Sequence, residues 1–396
     1  MGTPATTLVK ATMTKKKGSK KRKNLPGDKE QDDVVSQRRR LIEEAARETT
    51  DNENNEGPTT TKAVSSMSLQ DTGDLIAELA EGILENPESA FQSQTAQDGE
   101  KLPSPMRQLL AIAATQDNAQ HQYTAHLALM SLLAVFKDIL PSYRIRLPTD
   151  QEMAVKVSKD TKKLWDYEKA LLQHYQQYLK LLEGTWNRQS KAGPDGKPTR
   201  SATTAMLSMA ELLKSAFAFN FGSQLLTVVV RCTAVHSSVG DACCQSIQHV
   251  FTHDAQGQIA MEAARLLSKM IQKRNFHVRP EVLRTFLALP LRVHADEVEA
   301  AKLASKAKAK KRKKDKELAA IEDELKEGEA RVDKVILARA QTDTLQAVTL
   351  TYFRILKSEH VPDDILPATL EGLAKFVHLI NIDTVMDVLA VLPPLL

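Results

Sequence analysis

An all-α fold, a HEAT- or armadillo-like α-solenoid of stacked helical hairpins, is what this 396-residue sequence predicts. Three observations carry that expectation. Aromatic residues are only 5% of the chain, and its 15 Gly and 16 Pro supply few turns, whereas strand-rich chains need many turn, aromatic and β-branched residues. Apolar residues recur at helical spacing through most of the chain after residue 67. The predicted helices are short and separated by small breaks, and a string of that kind packs naturally as stacked hairpins.

Residues 1–67 lack periodic apolar positions and read as a disordered basic tail. Within it, only Asp32 to Glu48 has helical spacing, through Val34, Val35, Leu41, Ile42 and Ala45. A helical-repeat domain is expected over 68–293. Its first helix starts after Asp71 as N-cap, steps through Leu75, Leu79 and Ile83, and ends at Pro87. Helices over 106–114 and 120–140 follow; the second is apolar nearly all round and is predicted to be buried on every side. From Lys159 to Trp186 one wide stripe joins Trp165, Leu172, Tyr175, Leu179, Leu182 and Trp186, with Leu164, Tyr167, Leu171, Tyr178 and Leu181 beside it. Such a stripe predicts core packing along the whole helix. Residues 187–201 read as a flexible break. Further helices are expected at about 203–217, 222–236, 238–253, 257–274 and 279–289.

Residues 294–340 read as a charged long helix or insert, basic over 302–316 and acidic over 317–329. Further helical repeats are expected over 341–396, with helices at 342–357, 365–379 and 383–392. An apolar terminus directly after a helix is unusual for a complete solenoid, so the fold is expected to be cut short at Leu396.

Charge is concentrated. Fifty-four Lys and Arg against 50 Asp and Glu give +4 overall, yet residues 1–50 carry +6 (13 against 7) and residues 302–316 carry +8 (9 against 1), leaving −10 for the rest. Attraction to nucleic acid is therefore expected through two short segments. Lys15, Lys16, Lys17, Lys20, Lys21, Arg22 and Lys23 form one cluster, read as a nuclear-import signal. Lys306, Lys308, Lys310, Lys311, Arg312, Lys313, Lys314 and Lys316 form the other, read as an RNA phosphate contact against the plainer alternative of a solvated helix face.

Motifs for chemistry are missing. GPDGKPT at 193–199 has Pro198 where a phosphate loop needs Ser or Thr, and no GxGxxG or GxSxG occurs. His249 and His253, at i and i+4 with Cys243 and Cys244 upstream, supply too few ligands at the wrong spacing for a zinc site, so a structural role is expected. Lys162, Lys163, Lys169 and Lys180 interleave with aromatics, a pattern compatible with base stacking, but the leucines between them favour core packing. Three cysteines without CxxC spacing fit a reducing compartment. The longest apolar stretch, Ala125 to Phe136, falls short of the ~20 residues that span a membrane. No enzyme activity, cofactor, metal, membrane or small-molecule substrate is expected.

Several long segments resemble the nucleolar complex protein 3 family: SLLAVFKDILPSYRIR (131–146), LWDYEKALLQHYQQYLKLLE (164–183), GQIAMEAARLLSKMIQKRNFHVRPEVLRTFLALPL (257–291), KELAAIEDELKEGEARVDK (316–334), QTDTLQAVTLTYFRILK (341–357) and LPATLEGLAKFVHLINID (366–383). They occur in order across about residues 70–396. The resemblance implies a HEAT-like nucleolar scaffold for assembly and pre-rRNA processing of the large (60S) ribosomal subunit. It also implies pairing with a sister protein, nucleolar complex protein 2, among other pre-60S assembly factors on pre-ribosomal RNA. It implies no catalytic residues, and a further helical domain after the last of these segments. Fungal members are tied to the licensing of replication origins, so a chromatin-bound adaptor in DNA replication initiation is the alternative reading. A generic helical transport adaptor is the third class.

Overall fold

The computed structural model describes residues 68–95, 101–115, 119–193, 196–235, 237–292, 318–358 and 362–380. Both basic clusters, the 32–48 segment and the helix expected at 383–392 lie outside the described residues. The described part is all-α, with twelve helices and one two-residue antiparallel ladder pairing β1 (Gln94–Thr95) with β2 (Lys101–Leu102).

Helix α1 runs Leu69–Glu85. Its cap is Ser68 rather than the expected Asp71: the Ser68 hydroxyl accepts from the Asp71 N–H at 3.2 Å. A serine caps as well as an aspartate, and Asp71 then sits in the first turn, where its charge suits the helix dipole. Helix α2 spans Pro105–Ala114, with Pro105 opening the first turn where its missing N–H costs nothing. Helix α3 spans Ala119–Ile139. It is not buried on every side as its composition predicts. Neighbours α1 and α2 cover part of it, and the remaining face leaves Tyr123 and Met130 exposed.

Helix α4 (Asp150–Ala154) is a single capped turn, and α5 (Lys159–Gln189) is the 31-residue aromatic helix. Hydrogen bonds close the break after α5. Gly193 N–H donates to the Lys197 carbonyl at 2.9 Å, and Thr199 bonds Gln189 through its N–H and its hydroxyl. Then come α6 (Arg200–Ala216), α7 (Gly222–Cys232), α8 (Ser238–His253), α9 (Gln258–Lys273) and α10 (Pro280–Arg284), which continues as a 3₁₀ turn over Thr285–Ala288.

Helix α11 spans Leu318–Leu356 without interruption, so the two stretches expected on either side of residue 340 are one helix. No Gly or Pro stands between Val335 and Leu356 to break it. Helix α12 (Leu366–Phe376) follows the 3₁₀ turn Asp363–Ile365.

Packing advances along the chain in two rows. In one, α3 packs on α6, α6 on α8, and α8 on the turn after α10, while α10 meets α12. In the other, α7 packs on α9 and α9 on α11. Contacts between α5 and α6, α6 and α7, and α11 and α12 tie the rows together.

Two aromatic clusters anchor the core. Phe136 of α3 stacks on Tyr178 of α5 with centroids 5.1 Å apart and meets Tyr175 at 5.4 Å. The Tyr178 hydroxyl is fully buried and donates to the Leu129 carbonyl at 2.8 Å, which satisfies the one polar atom this ring brings inside. Phe286 and Tyr352 form the second cluster, edge to face at 6.0 Å. Gly372 of α12 lies against the Tyr352 ring with no room for a Cβ, so only glycine lets α12 come this close. Ion pairs between helices (Lys137–Glu211, Arg265–Asp343, Arg284–Glu371) are solvent-exposed, worth roughly 0–1 kcal/mol each.

Candidate functional site

Four places could carry function: the histidine–cysteine region, the cleft at Arg279, the start of α11, and the start of α5.

His249 and His253 stack at 3.8 Å on α8, as their spacing predicts. Cys243 and Cys244 are buried and point into the core, not toward the imidazoles' exposed side. No group of three or more potential metal ligands forms among the described residues. Burial raises all three thiols, Cys232 to about 12, so they stay protonated and behave as small hydrophobes.

At the α10 end, Asp241, Arg279, Pro280, Glu281 and Asp364 line a cleft of about 730 Å³. Arg279 is 7% exposed. Its guanidinium lies 2.6 Å from Asp241 and 3.7 Å from Glu281. A buried cation held by a carboxylate joins α8 to α10, and burial keeps the neighbouring Cys244 thiol protonated. Two hydroxyls meet imidazoles, Thr204 at His126 (3.1 Å) and Thr252 at His253 (2.8 Å), and among the described residues no helix is long and apolar enough to cross a membrane.

The chain leaves the described body at Arg292, whose N–H donates to Gln341 of α11, and re-enters at Leu318. Helices α9 and α11 run parallel: Gly257 faces Leu337, Arg265 pairs with Asp343, Ser268 bonds the Ala347 carbonyl, and Gln272 meets Arg354. Residues 318–336 therefore precede the start of α9 and reach about 28 Å past it at 1.5 Å per residue. Lys316 stands two residues before Leu318. The Lys306–Lys316 block itself lies outside the described residues.

Helix α5 overhangs too. Core contact holds from Leu171 to Trp186. Phe91 meets Tyr167 at 5.4 Å and His174 at 5.2 Å, and marks where cover begins. Ahead of that point the predicted stripe emerges into solvent: Leu164 is 54% exposed and Trp165 is half-buried. Every residue from 151 to 160 is exposed as well. Leu164 and Trp165 belong to the predicted stripe, but the sequence pattern does not single out Met153, Val155 and Val157. These are alternate residues, too few to register as a strand or a helix.

The stretch is rooted firmly. Asn220, in the turn between α6 and α7, accepts the Ile145 N–H at 2.9 Å and donates to the Ile145 carbonyl at 3.0 Å, while the Ile145 side chain is buried. Thr149 and Glu152 form a reciprocal capping box, and Arg146 pairs with Glu152 at 2.8 Å. The Thr149 N–H and then the Arg146 guanidinium hold the Glu152 carboxyl below its usual range.

With this arrangement described, its relatives can be compared. The profile of the Nucleolar complex-associated protein family matches residues 71–178. Nucleolar complex protein 3 homolog of Mus musculus is 34% identical over 352 residues, 83% of this chain and 42% of that protein. Nucleolar complex-associated protein 3 of Schizosaccharomyces pombe is 30% identical over 280 residues, 67% of this chain and 37% of that protein. The Arabidopsis thaliana protein of the same name is 28% identical over 366 residues, 81% and 41%.

The chain belongs to the nucleolar complex protein 3 family.

It spans about 42% of the length of the Mus musculus relative. The profile match begins in α1 and ends at Tyr178, in the covered part of α5, so the nucleolar complex protein 3 signature encloses the exposed start of α5.

Proposed function

We propose that this chain is part of a non-enzymatic scaffold of the nucleolus. It acts in biogenesis of the large (60S) ribosomal subunit and in pre-rRNA processing, paired with a nucleolar complex protein 2-type partner. The observation that carries this reading is the similarity to nucleolar complex protein 3 relatives along 83% of the chain. An all-α body of two helical rows supports it, because such stacks offer long surfaces to partners. The body serves as a short HEAT-like array. The Lys15–Lys23 cluster brings the protein into the nucleus, and the Lys306–Lys316 block grips ribosomal RNA through phosphates with little base selectivity.

Crosslinking of the full chain in cells, with identification of bound protein and RNA, tests the reading. Large-subunit rRNA precursors together with a nucleolar complex protein 2-type partner are expected. Origin DNA without rRNA precursors would replace it with the adaptor in replication initiation. In vitro, the eight cations of Lys306–Lys316 predict a log–log salt slope for single-stranded RNA of about −6 at ~0.7 per phosphate. Neutralising them flattens the slope; an unchanged slope means the block does not touch RNA.

A further inference from the structure

We propose that residues 153–164, with Tyr143, form a docking surface for an acidic amphipathic helix of a partner protein. This goes beyond the scaffold reading and holds whether or not the Lys306–Lys316 block contacts RNA.

Exposed apolar side chains concentrate here. Tyr143, Met153, Val155, Val157 and Leu164 are 62%, 56%, 63%, 38% and 54% exposed. They are five of the twelve large hydrophobics exposed among the described residues, within 22 consecutive positions. Single exposed hydrophobics need no explanation, but a run of them does. Tyr143 belongs with the others because it lies near enough to Tyr167 of α5 to add to the upward push that burial, then Glu88, give the Tyr167 hydroxyl.

The surface is also held in place before anything binds. The Asn220 clamp on Ile145, the Arg146–Glu152 pair and the Thr149–Glu152 capping box fix one end, and Ser158 caps α5 at the other through the Thr161 N–H at 3.1 Å. A partner therefore loses little ordering entropy on this side of the interface, which favours binding.

Charge identifies the occupant. Lys156, Lys159, Lys162 and Lys163 stand among these apolar residues with only Asp160 opposing them, a net +3 over 153–164. All four lysines are exposed, and none makes an ion pair. A nucleic acid would satisfy the lysines but would leave three aliphatic side chains and a methionine without a complement. A helix with an apolar face and flanking Asp or Glu satisfies both. The chain's own acidic helix α1 is fixed in the body by its packing on α2 and α3 and is not the occupant.

The test uses the full chain and three fluorescein-labelled designed peptides: an amphipathic helix with a Leu face and Glu flanks, the same helix with Lys flanks, and a scrambled Glu version. Anisotropy should show binding of the first, weaker by at least about tenfold for the other two, and weakening with salt. Val155→Asp with Leu164→Asp should abolish binding while thermal unfolding stays unchanged, since both side chains are exposed. In a Trp186→Phe chain, Trp165 becomes the sole tryptophan, and its emission should shift to the blue on binding. If that chain fails to fold, the anisotropy series on the unsubstituted chain decides alone. Equal binding of the Glu and Lys peptides, no binding of either, binding untouched by the double substitution, or displacement by oligouridine would each overturn the proposal. Concentration-dependent self-association lost in the double variant would overturn it too, by assigning the surface to a second copy of this chain.

Discussion

The two ends of α5 meet different surroundings. From Leu171 to Trp186, Leu, Tyr and Trp form the centre of the core, with Tyr178 fully buried against Phe136. From Lys159 to Leu164 the helix is rich in Lys with Leu164 as its one large apolar residue, and almost nothing covers it. Helical spacing determines which side chains share a face; whether a neighbour reaches that face depends on where α1, α2 and α6 end. The α2 and α6 contacts with α5 supply that cover, and Phe91 closes it off near Tyr167. A long helix can thus be core at one end and exposed at the other.

The strongest way to break this comparison is to truncate one residue from each end. Tyr178→Ala should cost about 3–5 kcal/mol, as large buried aromatics do, because it removes a stacked ring and leaves a cavity. Tyr178→Phe isolates the hydrogen bond to the Leu129 carbonyl and should cost about 1 kcal/mol. Leu164→Ala should stay within about 0.5 kcal/mol of the unsubstituted chain. Urea denaturation measures all three. A loss at Leu164 comparable with that at Tyr178 would mean that the start of α5 is covered in solution.

A finer instrument is already in the sequence, which has two tryptophans, one at each end of the helix. Trp186 is 8% exposed and Trp165 is half-buried. With Trp165→Phe and Trp186→Phe as a matched pair, iodide should quench the chain that keeps Trp165 several-fold more strongly than the chain that keeps Trp186. Equal quenching would erase the distinction.

Periodicity and composition made the helical class, most helix positions and the buried cysteines legible, because those follow from local spacing and side-chain chemistry. Three features were not legible, each for a physical reason. The cap of α1 moved from Asp71 to Ser68 because both residues cap well and only the backbone geometry chooses between them. Helix α3 reads as buried all round, yet exposes Tyr123 and Met130, because an apolar face says nothing about how many neighbours reach it. The exposed run from Met153 to Leu164 depends on tertiary anchoring through Asn220, 75 residues away from Ile145. The two lysine-rich clusters named from the sequence lie outside the described residues.

The smallest expected effect concerns a histidine on the other row. The covered part of α5 belongs to a core whose rim includes His249 on α8, stacked on His253 and near Lys214 and Glu211 of α6. Partial burial, then the His253 ring and the Lys214 ammonium, hold His249 below its usual value of 6.5, with Glu211 opposing them. Its Nδ1 is buried without a hydrogen-bond partner. Because the folded state binds this proton less readily than the unfolded chain, stability is full above pH about 6.5 and declines as pH falls from there through the folded value. His249→Gln should therefore reduce the loss of urea midpoint between pH 7.5 and 5.5. Glu211 does not confuse this window. The hydrogen bond and charge of Lys137, with Lys214, keep its carboxyl below 4.5, so its contribution persists through the window and is lost only at lower pH. A His249→Gln chain with an unchanged midpoint slope would place the imidazole in free contact with water, and would move the edge of the core inward at α8 just as cover at Leu164 would move it outward at α5.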